Sequence, residues 1–341
     1  MNAPVAQRPL ASICMFAYNH ERFIVEALEG AVSQTYTPIE ILLSDDASTD
    51  RTFARAEAFA AGYAGPHALR LHRNDMNLGV AGNVNRTLAD ARGELLFFAD
   101  GDDVSLPERV AACWEHYRAH GEPLYLVSDA IWMDEEGREI PGDFRLPART
   151  PSGIVASIRA RVPGAWGTGL CFHRRLWDVF GPFRAGRLRL IDCALAFRAA
   201  LLGGSIAMLP RKLVRYRQHA GGVCSGTSAV SGVPRRVRFV RQLVDYLDLY
   251  HQFHLDLHAA WQKRIVNERM YRRAERVIVE ESYATMALAH AVDGPWVYRL
   301  PRLAGMSIAG LGRTAAMAWR LKRWLLDPRD AGRTEKRNTL R

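Results

Sequence analysis

No stretch of about 18 apolar residues occurs in the chain, so no membrane-spanning helix is expected. The N-terminus has no charged segment followed by an apolar run, so no secretory leader is expected either. Cysteine is scarce and odd in number: Cys14, Cys113, Cys171, Cys193 and Cys224. No CxxC or His/Cys spacing links them, so they read as reduced, mostly buried thiols of a cytoplasmic protein rather than a disulfide framework. Neither G-x-x-x-x-G-K-[ST] nor G-x-G-x-x-G is present, which removes support for P-loop and dinucleotide-cofactor readings. No Ser/His/Asp order recommends itself, and no internal repeat is visible.

The chain does have enough apolar sequence for a sizeable core. Its 341 residues are 48% hydrophobic and 24% charged, as in a globular protein of one large domain plus an extension. The formal net charge is +10, and it is unevenly placed. From Gly232 onward lie 21 of the 46 lysines and arginines but only 11 of the 36 acidic residues, so residues 1–231 balance and the last third carries the whole excess. Such asymmetry suggests a separate region that meets an anionic surface.

Up to residue 231 the pattern alternates short apolar runs with helical spacing. Ser12–Ala17, Ile39–Leu43, Leu69–Leu71 and Glu94–Ala99 read as strands. Glu21–Ser33, a segment ending near Ala61, Ala81–Ala91 and Pro107–His120 read as helices, with Ser48 or Thr49 as candidate cap of the second. Tyr125–Ser128, Gly169–His173, Ser205–Leu209 and Leu213–Gln218 are further strands, and Arg174–Phe180 and Leu190–Leu202 further helices. Pro141–Pro163 and Gly221–Gly232 read as loops. This alternation predicts an α/β fold with a mostly parallel sheet covered by helices on both faces. Ligands of such sheets sit beyond the carboxyl ends of the strands. Two acidic clusters fall there: Asp45-Asp46, and Asp100-Gly101-Asp102-Asp103.

Asp100-Gly101-Asp102 resembles a DxD motif, whose carboxylates would hold a divalent ion that neutralises a sugar diphosphate and its departing phosphate. In isolation, Asp100-Gly101-Asp102 reads more readily as a solvated acidic turn. Its place between a buried strand and a proline-started helix favours the metal reading. Asp45 and Asp46 can accept from a base N–H such as the imide of uracil, or can serve as a helix-capping turn.

Residues 8–231 resemble a family 2 glycosyltransferase. The segments that carry the resemblance are SICMFAYNHERFIVEALEGAVSQTY, EILLSDDASTDRT, the Asn77–Gly79 triplet, ARGELLFFADGDDVSLPERV, CFHRRLWDVFGPF and the YRQH of Tyr216–His219. The resemblance implies a GT-A (Rossmann-like) fold over 8–231 and an inverting, metal-dependent transfer from a nucleotide-sugar, with a UDP-sugar favoured. It implies that Ala17, Tyr18 and Asn19 cradle the base and ribose and that Asp46 reads the uracil edge. Asn77, Gly79, Asp100 and Gly101 complete the donor side. Asp102 and His219 would hold Mn²⁺ or Mg²⁺, and Asp192 would be the catalytic base, with Asp103 next in line. Two departures stand out. Ile191 precedes Asp192 where the family usually has an acidic residue. Gly82 precedes Asn83 where many members have Arg or Lys, so a diphosphate contact would have to come from Arg73 or Arg86.

Residues 232–341 read as a basic, mostly helical extension. In a candidate helix over Ser307–Leu326, Ile308, Leu311, Ala315, Ala318, Trp319, Leu325 and Leu326 share a face beside Arg313, Arg320 and Arg323, interrupted by Lys322. Such a helix suits either the anionic inner face of the cell membrane or packing on the catalytic domain; nucleic acid is not expected. His251, His254 and His258 share one helix face and could bind a metal or simply be solvated. The acceptor is expected to be a saccharide or a lipid-linked saccharide, as in bacterial surface polysaccharide assembly. The rivals are a nucleotidyltransferase, which the AYNHERF stretch after the first strand disfavours, and a non-catalytic sugar-nucleotide-binding relative.

Overall fold

A computed structural model describes residues 8–142, 153–160, 167–186, 188–219, 221–222 and 235–293. Their centre is an eight-stranded sheet of order β3-β2-β1-β4-β7-β6-β8-β5. The strands are β1 (Ala11–Ala17), β2 (Ile39–Asp45), β3 (Ala68–Arg73), β4 (Leu95–Asp100), β5 (Val104–Ser105), β6 (Tyr125–Met133), β7 (Leu170–His173) and β8 (Ile206–Arg217). The helices are α1 (Ile24–Val32), α2 (Thr52–Gly62), α3 (Gly79–Asp90), α4 (Arg109–Ala119), α5 (Ile154–Ala160), α6 (Arg175–Phe180), α7 (Ile191–Leu201), α8 (Arg235–Gln262) and α9 (Glu268–Asp293).

The first four strands pair in parallel. Their apolar runs are buried along almost their whole length in β1, β2 and β4, as strands covered on both faces must be. β7 then runs antiparallel to both β4 and β6, and β8 returns parallel to β6. Two reversals restore the original direction. The carboxyl ends of β1, β2, β4, β6 and β8 therefore open on one edge of the sheet.

Successive side chains of a strand point to opposite faces, so one core lies on each side. Cys14, Leu96, Phe98, Val127 and Phe172 pack on one face with α7. Ile13, Met15, Leu43, Phe97 and Leu126 pack on the other with α1 and α4. Each such large side chain stabilises the fold by roughly 1.5–3 kcal/mol relative to exposure. α8 and α9 lie outside the sheet and share the first core through Leu249, Tyr250, Phe253, Leu257, Ala274 and Ile278. No helix among the described residues is long and apolar enough to cross a membrane.

Several sequence expectations are corrected. The last two strands are one: β8 runs through Pro210, and the β6–β8 register jumps from Ser128↔Leu209 to Asp129↔Lys212. Proline cannot donate to the ladder, so the chain bulges past it rather than ending. β6 likewise continues to Met133. The stretch read as one loop before Pro163 contains α5, whose Ile154, Val155 and Ile158 reach the first core. Neither Ser48 nor Thr49 caps α2. Arg51 stands at the cap position without a side-chain capping bond, and Asp50 Oδ1 accepts the Thr52 N–H at 2.9 Å. The Ser307–Leu326 candidate helix lies outside the described residues, as does Gly221–Gly232 apart from its first two glycines.

One buried ion pair fastens α8 to α7. Arg198, fully buried, donates from Nε to Asp256 Oδ2 at 2.9 Å and from Nη2 to Oδ1 at 3.0 Å. Its Nη1 donates to the Gly181 carbonyl at 2.9 Å, and the guanidinium lies 4.0 Å from the Phe183 ring centroid. Removing one partner strands the other charge. We expect Arg198→Met to lower stability by about 3–5 kcal/mol in urea titration. The double change Arg198→Met with Asp256→Leu should recover most of that loss. A single variant within 1 kcal/mol of the wild type would show that the pair is not what holds α8.

Candidate active site

The site is the edge where the strand ends open. β4 ends at Asp100, and the Gly101 N–H extends the ladder to β1 by donating to the Phe16 carbonyl at 2.8 Å. The next residues fold back so that β5 pairs antiparallel with β8. Asp103 closes this turn: its Oδ1 accepts the Arg217 N–H at 2.8 Å and its Oδ2 accepts the Thr168 hydroxyl at 2.9 Å. That connection brings the end of β8 to the end of β4. His219 Nε2 then lies 2.8 Å from Asp102 Oδ2.

Asp100, Asp102 and Asp103 each have an oxygen within 4.8 Å of the others. Burial, and then the neighbouring Asp102 carboxylate, push the Asp100 pKa up to about 7. Burial and the same neighbour raise Asp103 well above the carboxylate range. Asp102 goes the other way. Burial would raise it, but the His20 ring and the His219 hydrogen bond outweigh burial and hold it below the ordinary value. Asp102 is thus the carboxylate of the three that the protein keeps ionised.

Two buried arginines hold the surrounding backbone. Arg109 donates to Ser105 Oγ at 2.9 Å and to the Phe98 and Thr168 carbonyls at 2.7 and 3.0 Å. Arg217 donates from Nε to the Asp102 carbonyl at 2.9 Å and from Nη1 to the Glu135 carbonyl at 2.9 Å, pairs with Glu26, and lies over the Phe23 ring.

The other expected residues fall in two places. Asp192, at the start of α7, is near enough for its charge to raise Asp100. Burial raises its own pKa to about 6, against hydrogen bonds from Cys193 that lower it. Ala17 ends β1, Tyr18 is exposed beside it, and Asn19 adopts positive φ (57°). Asn19 Oδ1 accepts the Thr49 N–H at 2.9 Å, joining this turn to the one after β2. Asp46 is buried and already engaged. It accepts from Asn74 Nδ2 at 2.9 Å, the Leu78 N–H at 2.8 Å and the Gly79 N–H at 2.9 Å. An ionised carboxylate has about four acceptor positions, so one remains. Asn77 caps the same turn through its Oδ1 to the Gly79 N–H at 3.1 Å. Gly79 has φ +72°, a conformation that glycine adopts without strain. Arg73 donates to the Ser48 carbonyl at 2.8 Å, whereas Arg86 faces His72 and Asp90 on α3.

Sequence reasoning missed His20. Its Nε2 lies 3.7 Å from Asp102 Oδ2, and His20, Asp102 and His219 form a second group able to hold an ion. Its position three residues beyond β1, on the edge where ligands bind, was the available signal. Among the described residues both candidate ion groups contain Asp102, and neither contains His251, His254 or His258. His258 instead packs beside Trp261 and Tyr271.

Residues 12–178 match the sequence profile of Glycosyl transferase family 2. The chain carries a family 2 glycosyltransferase domain. EpsE of Bacillus subtilis, a provisionally assigned glycosyltransferase, is 34% identical over 189 residues, which span 55% of this chain and 66% of EpsE. Among solved structures, residues 1–349 of Staphylococcus aureus TarS in complex with UDP superpose with TM-score 0.55 at 17% identity, covering 94% of this chain and 91% of that one. The Pyrobaculum calidifontis mannosyltransferase PcManGT, in complex with GDP-Man and Mn²⁺, gives TM-score 0.53 at 18% identity over 94% and 86% of the two chains. The family 2 domain of this chain has the GT-A fold.

Arg217 is the physical link between the acidic segment and the end of β8. Replacing it with Met keeps the stem over Phe23 and removes the donors that serve the Asp102, Asp134 and Glu135 carbonyls and Glu26. We expect Arg217→Met to cost about 2–3 kcal/mol in denaturant titration. It should also loosen Asp102 and His219, seen as faster amide exchange at residues 102–105. Unchanged exchange there would separate Arg217 from the site.

Proposed function

We propose that this protein is an inverting glycosyltransferase that moves a sugar from a nucleoside diphosphate to a hydroxyl of a saccharide or lipid-linked saccharide acceptor. The observation that carries the reading is the pairing, at one sheet edge, of an ionised Asp102 beside His219 with a separate buried carboxyl, Asp192, whose pKa is about 6. The two acidic positions have different protonation behaviour, which is how a site divides charge stabilisation from proton transfer.

In this reading Asp192 accepts the proton of the acceptor hydroxyl as that oxygen attacks the anomeric carbon. The bond from the anomeric carbon to the phosphate oxygen breaks, and the nucleoside diphosphate leaves with the electron pair. One displacement inverts the anomeric centre. Asp100-Gly101-Asp102 then serves as the DxD motif, and Asp102 with His219 fits a divalent ion, Mn²⁺ or Mg²⁺, by donor type and spacing. Such an ion would supply positive charge to the diphosphate as it departs.

Ala17, Tyr18, Asn19 and the Asp46–Gly79 turn supply the donor side. The unused acceptor position of Asp46 suits the imide N–H of uracil, so we favour a UDP-sugar, with a dTDP-sugar recognised in the same way. The two structural neighbours carry UDP and GDP-Man, so base preference is a point for experiment. Peripheral contact of the basic C-terminal region with anionic membrane would place the enzyme near a lipid-linked acceptor.

Asp192→Asn keeps shape and removes basicity. We expect kcat to fall by roughly 10²–10⁴ with donor affinity nearly unchanged. In the wild type, protonation of Asp192 disables the base, so kcat/KM should fall as pH drops through about 6. Near-wild-type turnover in Asp192→Asn would move the base elsewhere. Asp103 is then a poor substitute, since both its oxygens are held internally.

Asp102→Ala should abolish metal-assisted UDP binding in calorimetry, and EDTA should do the same to the wild type. Full activity in EDTA would exclude the metal role. Tight GDP binding without UDP or dTDP binding would exclude the base assignment.

A further inference from the structure

The backbone of His20 has a place in the fold, its carbonyl accepting the Phe23 and Ile24 N–H groups, but no hydrogen bond explains its ring. Its backbone N–H is fixed by a 2.7 Å bond to Thr52 Oγ1, but its ring is not fixed in that way. Nδ1 is buried without a hydrogen-bond partner. Nε2 faces Asp102 Oδ2 at 3.7 Å, beyond hydrogen-bonding length. Nδ1 lies against Gly101, so Nε2 is the ring nitrogen left to meet a ligand beside Asp102.

The chain nevertheless makes room for this ring. A Cβ built on Gly101 would lie 2.8 Å from His20 Nδ1 and 3.1 Å from Ala17 Cβ. The glycine between Asp100 and Asp102 therefore does more than turn the chain. It admits the imidazole against the carboxylate that follows.

Around Asp102 Oδ2 the two imidazole nitrogens stand at 2.8 Å (His219) and 3.7 Å (His20). Two ligands bound to one ion at about 2.1 Å, subtending 90–120°, lie about 3.0–3.6 Å apart. The His20 spacing of 3.7 Å lies at the upper limit of that range, within about 0.1 Å, and the His219 spacing of 2.8 Å is that of a direct hydrogen bond. We propose that His20 is a third protein ligand of the divalent ion, making the site two imidazoles and one carboxylate, and that this donor set favours a transition ion such as Mn²⁺ over Mg²⁺.

The selectivity follows from ligand chemistry. Mg²⁺ is hard, prefers oxygen ligands and parts with water reluctantly, whereas imidazole nitrogen suits first-row transition ions. The open coordination positions would remain for diphosphate oxygens. The inference rests on the metal-dependent reading above, and its test separates the two.

The test uses the full chain with Mn²⁺ alone and with Mn²⁺ plus UDP, followed by electron paramagnetic resonance. Pulsed measurements count the nitrogens coupled to bound Mn²⁺. The expected count is two in the wild type and one in both His20→Gln and His219→Gln. Titration of free Mn²⁺ should show affinity weakened about tenfold or more in His20→Gln, with the preference for Mn²⁺ over Mg²⁺ reduced in competition. One coupled nitrogen in the wild type, or unchanged Mn²⁺ affinity in His20→Gln, overturns the role of His20 and leaves the proposed function standing. No Mn²⁺ binding by the wild type, with or without UDP, overturns both. The wild-type nitrogen count needs no variant, so a poorly folded His20→Gln would not obscure the result.

Discussion

Electrostatic repulsion at the end of β4 is the constraint around which the rest of the site is built. Three aspartates lie within four residues, with oxygens within 4.8 Å of one another. At an effective dielectric near 20, two unit charges at that separation repel by about 3 kcal/mol. A buried cluster cannot keep all three ionised without nearby positive charge. The fold responds unequally. Asp103 is held by a backbone N–H and a threonine hydroxyl, Asp100 is pushed toward neutrality, and Asp102 is kept charged by two histidines. The protein thus concentrates its negative charge on one carboxylate that faces the open edge of the sheet.

Topology makes this arrangement available. Two antiparallel pairings through β7 return β6 and β8 to the direction of β4. The β8 end, carrying Arg217 and then His219, therefore arrives beside the acidic segment from a part of the chain more than a hundred residues away. α7 packs on the first core, with Leu96 and Phe98 of β4, and presents Asp192 at its first turn. Helix-start amides favour a carboxylate there, but burial dominates and leaves it with the basicity that a proton acceptor needs near neutral pH. The turn proposed for the donor side is built separately, with Asp46 drawing the Leu78–Gly79 backbone toward the end of β2.

Much of this was legible in the sequence because it depends on local pattern. Buried parallel strands are continuous apolar runs, and acidic residues immediately after them stand out. Asp100 and Asp102 could therefore be placed at a strand end, whereas His219 was placed beside them only through the family resemblance. What was hidden depends on long-range packing. Nothing in composition marks Arg109, Arg198 and Arg217 as buried among 46 basic residues. β5 is two residues long and exists only because β8 lies beside it. Pro210 suggested a break, whereas the bulge opposite Asp129 lets β8 continue. His20 drew no reading from the sequence, since its meaning depends on Gly101 lying across the strand ends. Asp46 was read for its free oxygens, and the fold uses most of them internally.

The central claim is that the charge left on Asp102 is there to meet a cation between it and His219. Crystals grown with Mn²⁺ and UDP, measured at the manganese absorption edge, test this most directly. The structure predicts one anomalous peak in contact with the Asp102 carboxylate and His219 Nε2, with the direct 2.8 Å bond between them opened. Finding that bond intact, with no peak beside it while UDP is bound, would contradict the claim.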